Sequence, residues 1–250
     1  MLTIKKTDAI VIKKSFFGNT SEIITFYTKD YGKISTVAKG IHRKRSPFEG
    51  YAELLSFNEI LFIDGEGRRL STLTESTQKM NFPEIRKNIK KIYWAFFLAE
   101  FIDQMVEERD VSRELFDLFL KSLVDLDKNN DILICCAAFA AKGLTLLGFM
   151  PAIKKCCNCD KEFASDEETQ IHLKGEGLLC NKCGGGVSEE LKFSASSRAS
   201  LDKILDWKGQ KLYRLRLSRT NIKEIWRFLK GIINVTIDRE LRTLKYAEAN

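Results

Sequence analysis

Residues 8–28, DAIVIKKSFFGNTSEIITFYT, contain two runs rich in β-branched and aromatic residues with a turn between them. Such runs favour β-strands, and Gly18-Asn19 is typical of a tight turn. The following segment, YGKISTVAK, alternates as a half-buried strand does, with the strand beginning at Gly32. These runs predict three consecutive strands near the start of the chain.

Two further strand-like runs, LLSFNEILFID and RLSTLTES, are joined by the turn-forming residues 64–67. A longer basic connection separates them from the third strand. Five short strands between residues 8 and 77 suit a small closed barrel, and the OB-fold is the five-stranded member of that class. An open antiparallel sheet is the alternative.

The hydrophobic period changes to that of a helix after residue 80. Residues 81–108 predict a helix with Asn81 as its N-cap and Pro83 in its first turn. Ser112 is the expected cap of a second helix, and a third is expected to end at Gly148. The apolar faces of these helices indicate a packed core.

The pattern as a whole predicts an α+β protein, in which an all-helical domain with an inserted four-cysteine zinc-finger motif follows the barrel. Asn221 and Glu224 have the spacing of a capping box in the C-terminal helices. The expected parts are an OB-fold barrel (1–80), a first helical part (81–150), a zinc-binding insertion (151–190) and a C-terminal helical part (191–250).

Four cysteines form two C-x2-C pairs separated by 20 residues: Cys156, Cys159, Cys180 and Cys183. Each pair forms a tight turn that directs two thiolates at one point, and this spacing is typical of a closed, structural, tetrahedral zinc site. One alternative is a disulfide framework, which the cytosol disfavours. Another is a redox C-x2-C motif, which needs an adjacent βαβ unit that the sequence lacks.

The chain has three other cysteines, and a histidine lies between the two pairs; these are the other residues of metal-binding type to consider. Cys157 competes with Cys156 as a ligand, because the two are adjacent. Cys135 and Cys136 lie on an apolar helix, where small buried side chains are expected. We expect His172, which lies between the two pairs, to face solvent.

The net charge of +7 is divided unevenly along the chain. Residues 1–50 carry +6, residues 51–197 carry −6 and residues 198–250 carry +7. Segregated positive charge is typical of proteins that bind nucleic acids or anionic membranes.

Other classes of protein lack support in the sequence. The most apolar run, residues 132–141, is too short to cross a bilayer, and no signal peptide is recognisable, which indicates a cytoplasmic protein. There is no phosphate-binding loop, dinucleotide fingerprint or nucleophile elbow. We therefore expect a protein that acts by binding and is not an enzyme; a nuclease built on carboxylates of residues 100–131 is an alternative.

Several quoted segments resemble the RecO family of bacterial DNA repair and recombination mediators. Residues 9–62 are similar to the family's N-terminal domain, above all in YGKIS followed by AKG and basic residues. LTLLGFMP before the cysteines, GLLC at Cys180 and DRELRTLKY near the end are similar as well. The doubled Cys156-Cys157 departs from the family's pattern.

The resemblance implies a protein that binds single- and double-stranded DNA and anneals complementary strands. It also implies that RecR and single-stranded-DNA-binding protein are partners, and that together they help RecA load onto coated strands. A cytoplasmic protein that associates with the nucleoid when active is implied too. A zinc-ribbon adaptor that acts mainly through protein contacts is the alternative.

OB-folds bind strands with basic side chains that follow the phosphates and aromatic side chains that stack on bases. Phe17, Tyr27 and Tyr31 are the aromatic candidates, with burial in the core as the alternative. The barrel (1–80) is thus the expected DNA-binding domain. A second DNA surface is expected from the C-terminal charges, such as Lys208, Lys211, Arg214, Arg216 and Arg219. The candidate DNA-binding residues are Lys13, Lys14, Lys33, Lys39, Arg43, Lys44 and Arg45 near the N-terminus, and Lys211, Arg214 and Arg216 near the C-terminus.

Overall fold

The computed structural model describes residues 3–41, 52–64, 70–128, 131–172, 174, 176–185, 191–207, 209–238 and 240–249. The chain divides into two compact units, one of residues 1–129 with 242–250 and the other of residues 130–241. The domain boundaries expected from the sequence stay a prediction.

The first unit contains a closed five-stranded barrel. Its strands are β1 (Ile4–Phe17), β2 (Ser21–Thr28), β3 (Gly32–Ala38), β4 (Phe57–Ile63) and β5 (Ser71–Met80). They are ordered β1-β2-β3-β5-β4, β4 pairs with β1, and only β3 and β5 run parallel among the barrel's pairs. This arrangement confirms the OB-like barrel and excludes an open sheet.

Alternate residues of the strands fill the barrel. Ala9, Val11, Ile24, Phe26 and Phe62 belong to one buried cluster inside it. The inward positions recur every second residue because successive side chains of a strand point to opposite faces. The sequence predicted the strands, and the structure shows which of their side chains line the barrel.

The helices follow the barrel along the chain. They are α1 (Pro83–Lys87), α2 (Ile89–Met105), α3 (Arg113–Lys128), α4 (Ile132–Leu146), α5 (Asn181–Gly184), α6 (Ala195–Asp206), α7 (Arg219–Ile237) and α8 (Arg242–Ala249). α1, α2, α3 and α8 belong to the first unit, and α4 to α7 belong to the second.

Helix caps confirm two predictions. The Ser112 hydroxyl accepts a hydrogen bond from the Leu115 N–H (3.2 Å). Gly148 has a φ of 79°, and its N–H donates to the Thr145 carbonyl (3.1 Å), so the third predicted helix ends just before it. Both predictions depended on local chemistry alone.

Two other cap predictions are wrong. The long helix α2 is capped by Asn88, whose side chain accepts from the Lys90 and Lys91 N–H groups, and not by Asn81. Ser218 caps α7 in place of the predicted Asn221–Glu224 box, because the Glu224 carboxylate accepts instead from the N–H of Ser194 (2.8 Å).

The second unit also contains three short strands that the sequence did not predict. They are β6 (Thr169–Ile171), β7 (Leu178–Leu179) and β8 (Lys192–Phe193), in the order β7-β6-β8. A 3-10 helix, Gly209–Arg214, lies between α6 and α7. The small sheet brings the two cysteine pairs together, since β7 leads directly into Cys180.

Candidate metal centre and nucleic-acid surfaces

The four cysteines of the two C-x2-C pairs form one cluster. The Sγ atoms of Cys156, Cys159, Cys180 and Cys183 all lie within 4.8 Å of one another, and the Sγ atoms of Cys159 and Cys180 are 3.8 Å apart. Four sulfurs bound tetrahedrally at about 2.3 Å from zinc are about 3.8 Å apart. The cluster therefore lies within metal-binding distance and has the donor set that zinc prefers.

Backbone hydrogen bonds shape each cysteine turn. In the first turn the Cys156 N–H donates to the Lys161 carbonyl (2.9 Å), and the Asp160 N–H donates to the Cys156 carbonyl (3.0 Å). In the second turn the Gly184 N–H donates to the Cys180 carbonyl (2.9 Å). These bonds hold each chain segment in a tight loop around its two sulfurs.

Cys156, and not Cys157, belongs to the cluster. Cys157 is exposed, and its N–H donates to the Leu178 carbonyl (2.9 Å). Burial disfavours the Cys156 thiolate, but backbone N–H groups, first that of Cys180, donate to its sulfur and lower its pKa to about 6. A sulfur with a lowered pKa is a good metal ligand, because metals bind the thiolate.

The remaining metal-binding side chains of this unit lie outside the cluster. Cys135 and Cys136 are buried in α4, as predicted, and burial raises the pKa of Cys136. His172 follows β6, and its side chain is half-buried with Nδ1 3.5 Å from the Glu176 carboxylate. The expectation that His172 faces solvent is thus met only in part, because its side chain is 26% exposed.

The basic candidates in the barrel have different surroundings. Lys14 lies 2.8 Å from the Glu22 carboxylate, and Lys13 lies 3.5 Å from that of Asp103. Lys33 is largely buried, where its ammonium donates to the Asp103 carbonyl (2.5 Å) and desolvation lowers its pKa. Lys39 is exposed, and no acidic partner is found for it among the described residues. Lys39 is thus the described barrel candidate that is exposed without a carboxylate partner among the described residues.

Tyr27 is not available for base stacking, and the alternative, burial in the core, is confirmed for this residue. Its ring is fully buried against Phe116 and Phe119, with centroid distances of 6.0 and 6.5 Å. Burial also raises its pKa far above the usual range. The outer face of β2 is covered by α3 at this point, which the sequence pattern of the strand alone did not reveal.

Two exposed phenylalanines end β1. Phe16, which sequence reasoning missed, is 82% exposed, and Phe17 is 49% exposed. Tyr31 packs edge-on against Phe62, and the Lys5 ammonium lies 4.9 Å from the Tyr31 ring centroid. The hairpin between β1 and β2 is therefore the described part of the barrel that offers aromatic faces to solvent.

The remaining candidate DNA-binding residues form two groups, only one of which the structure describes. Arg43, Lys44 and Arg45, together with Lys208, lie outside the described residues. Lys211, Arg214 and Arg216 are exposed in the second unit. The Lys211 ammonium lies 4.7 Å from the ring centroid of Trp207, so a cation and an aromatic ring occur together there.

A search of the described helices finds none with the length and apolar character needed to span a membrane. An OB-type barrel followed by a helical region with a four-sulfur cluster defines the class of this protein. The family model for the N-terminal part of recombination protein O matches residues 1–82, and the model for its C-terminal part matches residues 86–245. The chain therefore belongs to the RecO family of DNA repair proteins.

Individual relatives agree with this family. A protein of Rhodopirellula baltica named DNA repair protein RecO is 36% identical over 70% of this chain and 65% of its own length. Proteins of the same name from Desulforamulus reducens and Moorella thermoacetica are 27% and 24% identical, over 99% and 95% of this chain and 95% and 88% of their own lengths. The similarity thus extends over almost the whole chain.

Proposed function

We propose that this protein is a mediator of DNA repair and homologous recombination that binds single- and double-stranded DNA and anneals complementary strands. The observation that carries the proposal is a RecO family match that includes a closed OB-type barrel. Barrels of this kind bind oligonucleotides on the face of their second and third strands and in the adjoining loops. No bond needs to be made or broken, so we propose a binding protein and not an enzyme.

The end of the barrel with Lys39 is the part that we propose contacts the DNA. Lys39 follows β3 directly and leads into the basic residues Arg43, Lys44 and Arg45. Lys13 and Lys14 add positive charge on β1, although each lies near a carboxylate. We propose that Lys33 contributes less to DNA binding, because its ammonium already donates a hydrogen bond to the Asp103 carbonyl.

Annealing follows from binding at more than one surface. Contacts to phosphate carry no sequence information, so two strands of any complementary sequence can be held. Lys211, Arg214 and Arg216 supply the second surface in this proposal. A molecule that holds two strands raises their effective concentration and favours pairing without further chemistry.

We also propose that the four clustered cysteines bind one Zn²⁺ with a structural role. The donor set and the spacing of the sulfurs fit the ion, and four thiolates leave no position open for a substrate. Zinc would supply a cross-link between the two cysteine turns. The chain's own residues contribute the N–H groups that stabilise the thiolates, as at Cys156.

The proposed partners follow from family membership. We propose that the protein acts with RecR and single-stranded-DNA-binding protein, and that together they help RecA load onto coated strands. The relatives' names support a role in repair and mention none of these partners.

The experiment is strand annealing by the purified chain, with and without single-stranded-DNA-binding protein on the strands. We expect faster annealing in both cases, without magnesium. A zinc-ribbon adaptor would bind DNA weakly and leave the annealing rate unchanged. Shortened oligonucleotides that appear only with magnesium would indicate a nuclease instead.

A further inference from the structure

Many basic residues of the first unit are neutralised within the protein. Lys6 lies 2.7 Å from the Glu59 carboxylate, and Lys79 lies 2.5 Å from that of Asp8. A lysine paired in this way adds less to the potential that an approaching polyanion meets. The positive charge of the sequence is therefore a poor guide to the positive surface of this unit.

Helix α7 differs, because three of its cations have no such partner among the described residues. Arg219, Lys223 and Arg227 are exposed, and the ion pairs found in the described part of the second unit join other lysines, and His172, to carboxylates. The single acidic residue of α7, Glu224, is buried, and its carboxylate accepts from the Ser194 hydroxyl (2.7 Å). These three cations, the α7 stripe, thus keep their full charge toward solvent.

The three residues of the α7 stripe form a row along one side of the helix. Its members are four residues apart, so they lie about 6 Å apart along the axis and within an arc of about 80°. The opposite side of α7 is buried, as shown by Ile225 and Phe228. A regular helix held by a packed face keeps the row rigid.

Gly231 lies one helical turn beyond Arg227 and leaves the helix surface open. A Cβ built on Gly231 meets no described atom within 4 Å, so packing does not explain a glycine here. Glycine lowers the stability of a helix interior, but it lets another chain approach the backbone closely. The open surface thus continues past the end of the stripe.

We propose that the α7 stripe binds the phosphodiester backbone of a nucleic acid. The row is about 12 Å long and carries a cation about every 6 Å, which suits a backbone that carries one negative charge per nucleotide. Peptide-binding helix surfaces also present apolar anchors, whereas all three members of the stripe are cations, and the exposed apolar residue of the same row, Val235, lies two turns beyond Arg227. This inference rests on the proposed DNA binding and assigns it residues that sequence reasoning did not single out, apart from Arg219.

The test compares two triple variants of the full chain. The first, Arg219→Gln with Lys223→Gln and Arg227→Gln, removes the stripe. The control, Lys87→Gln with Lys121→Gln and Lys154→Gln, removes the same charge from exposed lysines that are paired with carboxylates. Binding is measured against salt for a labelled single strand, a labelled duplex and a labelled poly-glutamate decapeptide, with Tm as the check on folding.

We expect the stripe variant to bind DNA about tenfold more weakly at 0.1 M salt. For each phosphate that the variant no longer neutralises, the salt slope should be lower by about 0.7 on the single strand or about 0.9 on the duplex. If the affinity for the single strand decreases more than that for the duplex, the stripe holds single-stranded DNA; the opposite result indicates that it holds the duplex.

The control is expected to resemble the unchanged protein. An equal decrease in affinity for both variants, or a decrease confined to the peptide, overturns the inference. If the unchanged protein binds no DNA, the proposed function itself fails.

Discussion

The backbone N–H of Cys180 donates a hydrogen bond to the Sγ of Cys156 (3.4 Å), and this bond joins the two cysteine turns. It connects residues 24 positions apart and stabilises the thiolate of Cys156. Its neighbour Cys157 makes a backbone bond to Leu178 instead. Of these two adjacent cysteines, Cys156 therefore belongs to the cluster and Cys157 does not.

Zinc content tests this distinction. Cys156→Ser is expected to lower the content from about one zinc per chain to near zero and to lower Tm, because three thiolates no longer close the tetrahedron. Cys157→Ser is the matched control and is expected to keep both values. Zinc is measured by atomic emission on dialysed protein; retention of zinc by Cys156→Ser together with its loss from Cys157→Ser would reverse the assignment.

Acid stability is expected to depend on Asp64. Hydrogen bonds from Arg109 (2.7 and 3.0 Å) and then Lys5 (2.7 Å) hold the pKa of this carboxyl well below its usual range. A depressed pKa contributes stability above the unfolded value of about 3.9 and loses it as the pH falls further.

Asp64→Asn is therefore expected to lower the free energy of unfolding by about 1–2 kcal/mol at pH 7. The difference from the unchanged protein should shrink below about pH 4, as measured by urea denaturation across pH. Glu84→Gln, which removes an exposed ion pair with Lys87, is the control and should have little effect. A constant difference down to about pH 2 would speak against the ion-pair origin.

Two glycines of the barrel with nearly equal φ separate backbone strain from close packing. Gly18 has a φ of 65° and no described atom near a built Cβ, whereas Gly32 has a φ of 64° and its Cβ would overlap the Asp110 carbonyl. Gly18→Ala is expected to cost about 1–2 kcal/mol. Gly32→Ala should cost about 3–5 kcal/mol, because overpacking adds to the strain. Equal urea midpoints for the two variants would refute the packing contribution.

The basic residues that follow β3 in the sequence are expected to bind phosphates. Changing Arg43, Lys44 and Arg45 to Ala should weaken single-strand binding and reduce the salt slope by about 0.7 for each phosphate that is no longer neutralised. The measurement is filter binding at several salt concentrations, with Lys87→Gln and Lys121→Gln as controls in ion-paired positions. An unchanged slope in the triple variant would count against the assignment.

The sequence predicted what depends on local pattern. Runs of β-branched and aromatic residues predicted strands of the barrel, and short-range chemistry predicted the Ser112 cap and the helix end at Gly148. The C-x2-C spacing identified the cysteine pairs, because both turns are local structures.

The errors, and the outcome left open at Tyr27, depend on contacts between distant residues. Asn81 does not cap a helix, because the chain instead forms the short α1, where the Ile85 N–H donates to the Asp127 carboxylate (2.9 Å). Glu224 bonds to Ser194, 30 residues away. Tyr27 is buried because α3 covers the strand's outer face. A single sequence contains no signal for these pairings.

The central claim is that positive surfaces of this chain hold DNA through its phosphates. The most direct measurement is equilibrium binding of the purified full chain to a labelled single-stranded oligonucleotide over a series of salt concentrations. We predict tight binding at low salt, with log affinity falling linearly against log salt by about 0.7 per phosphate bound. Absence of binding at low salt, or an affinity that does not change with salt, would contradict the account.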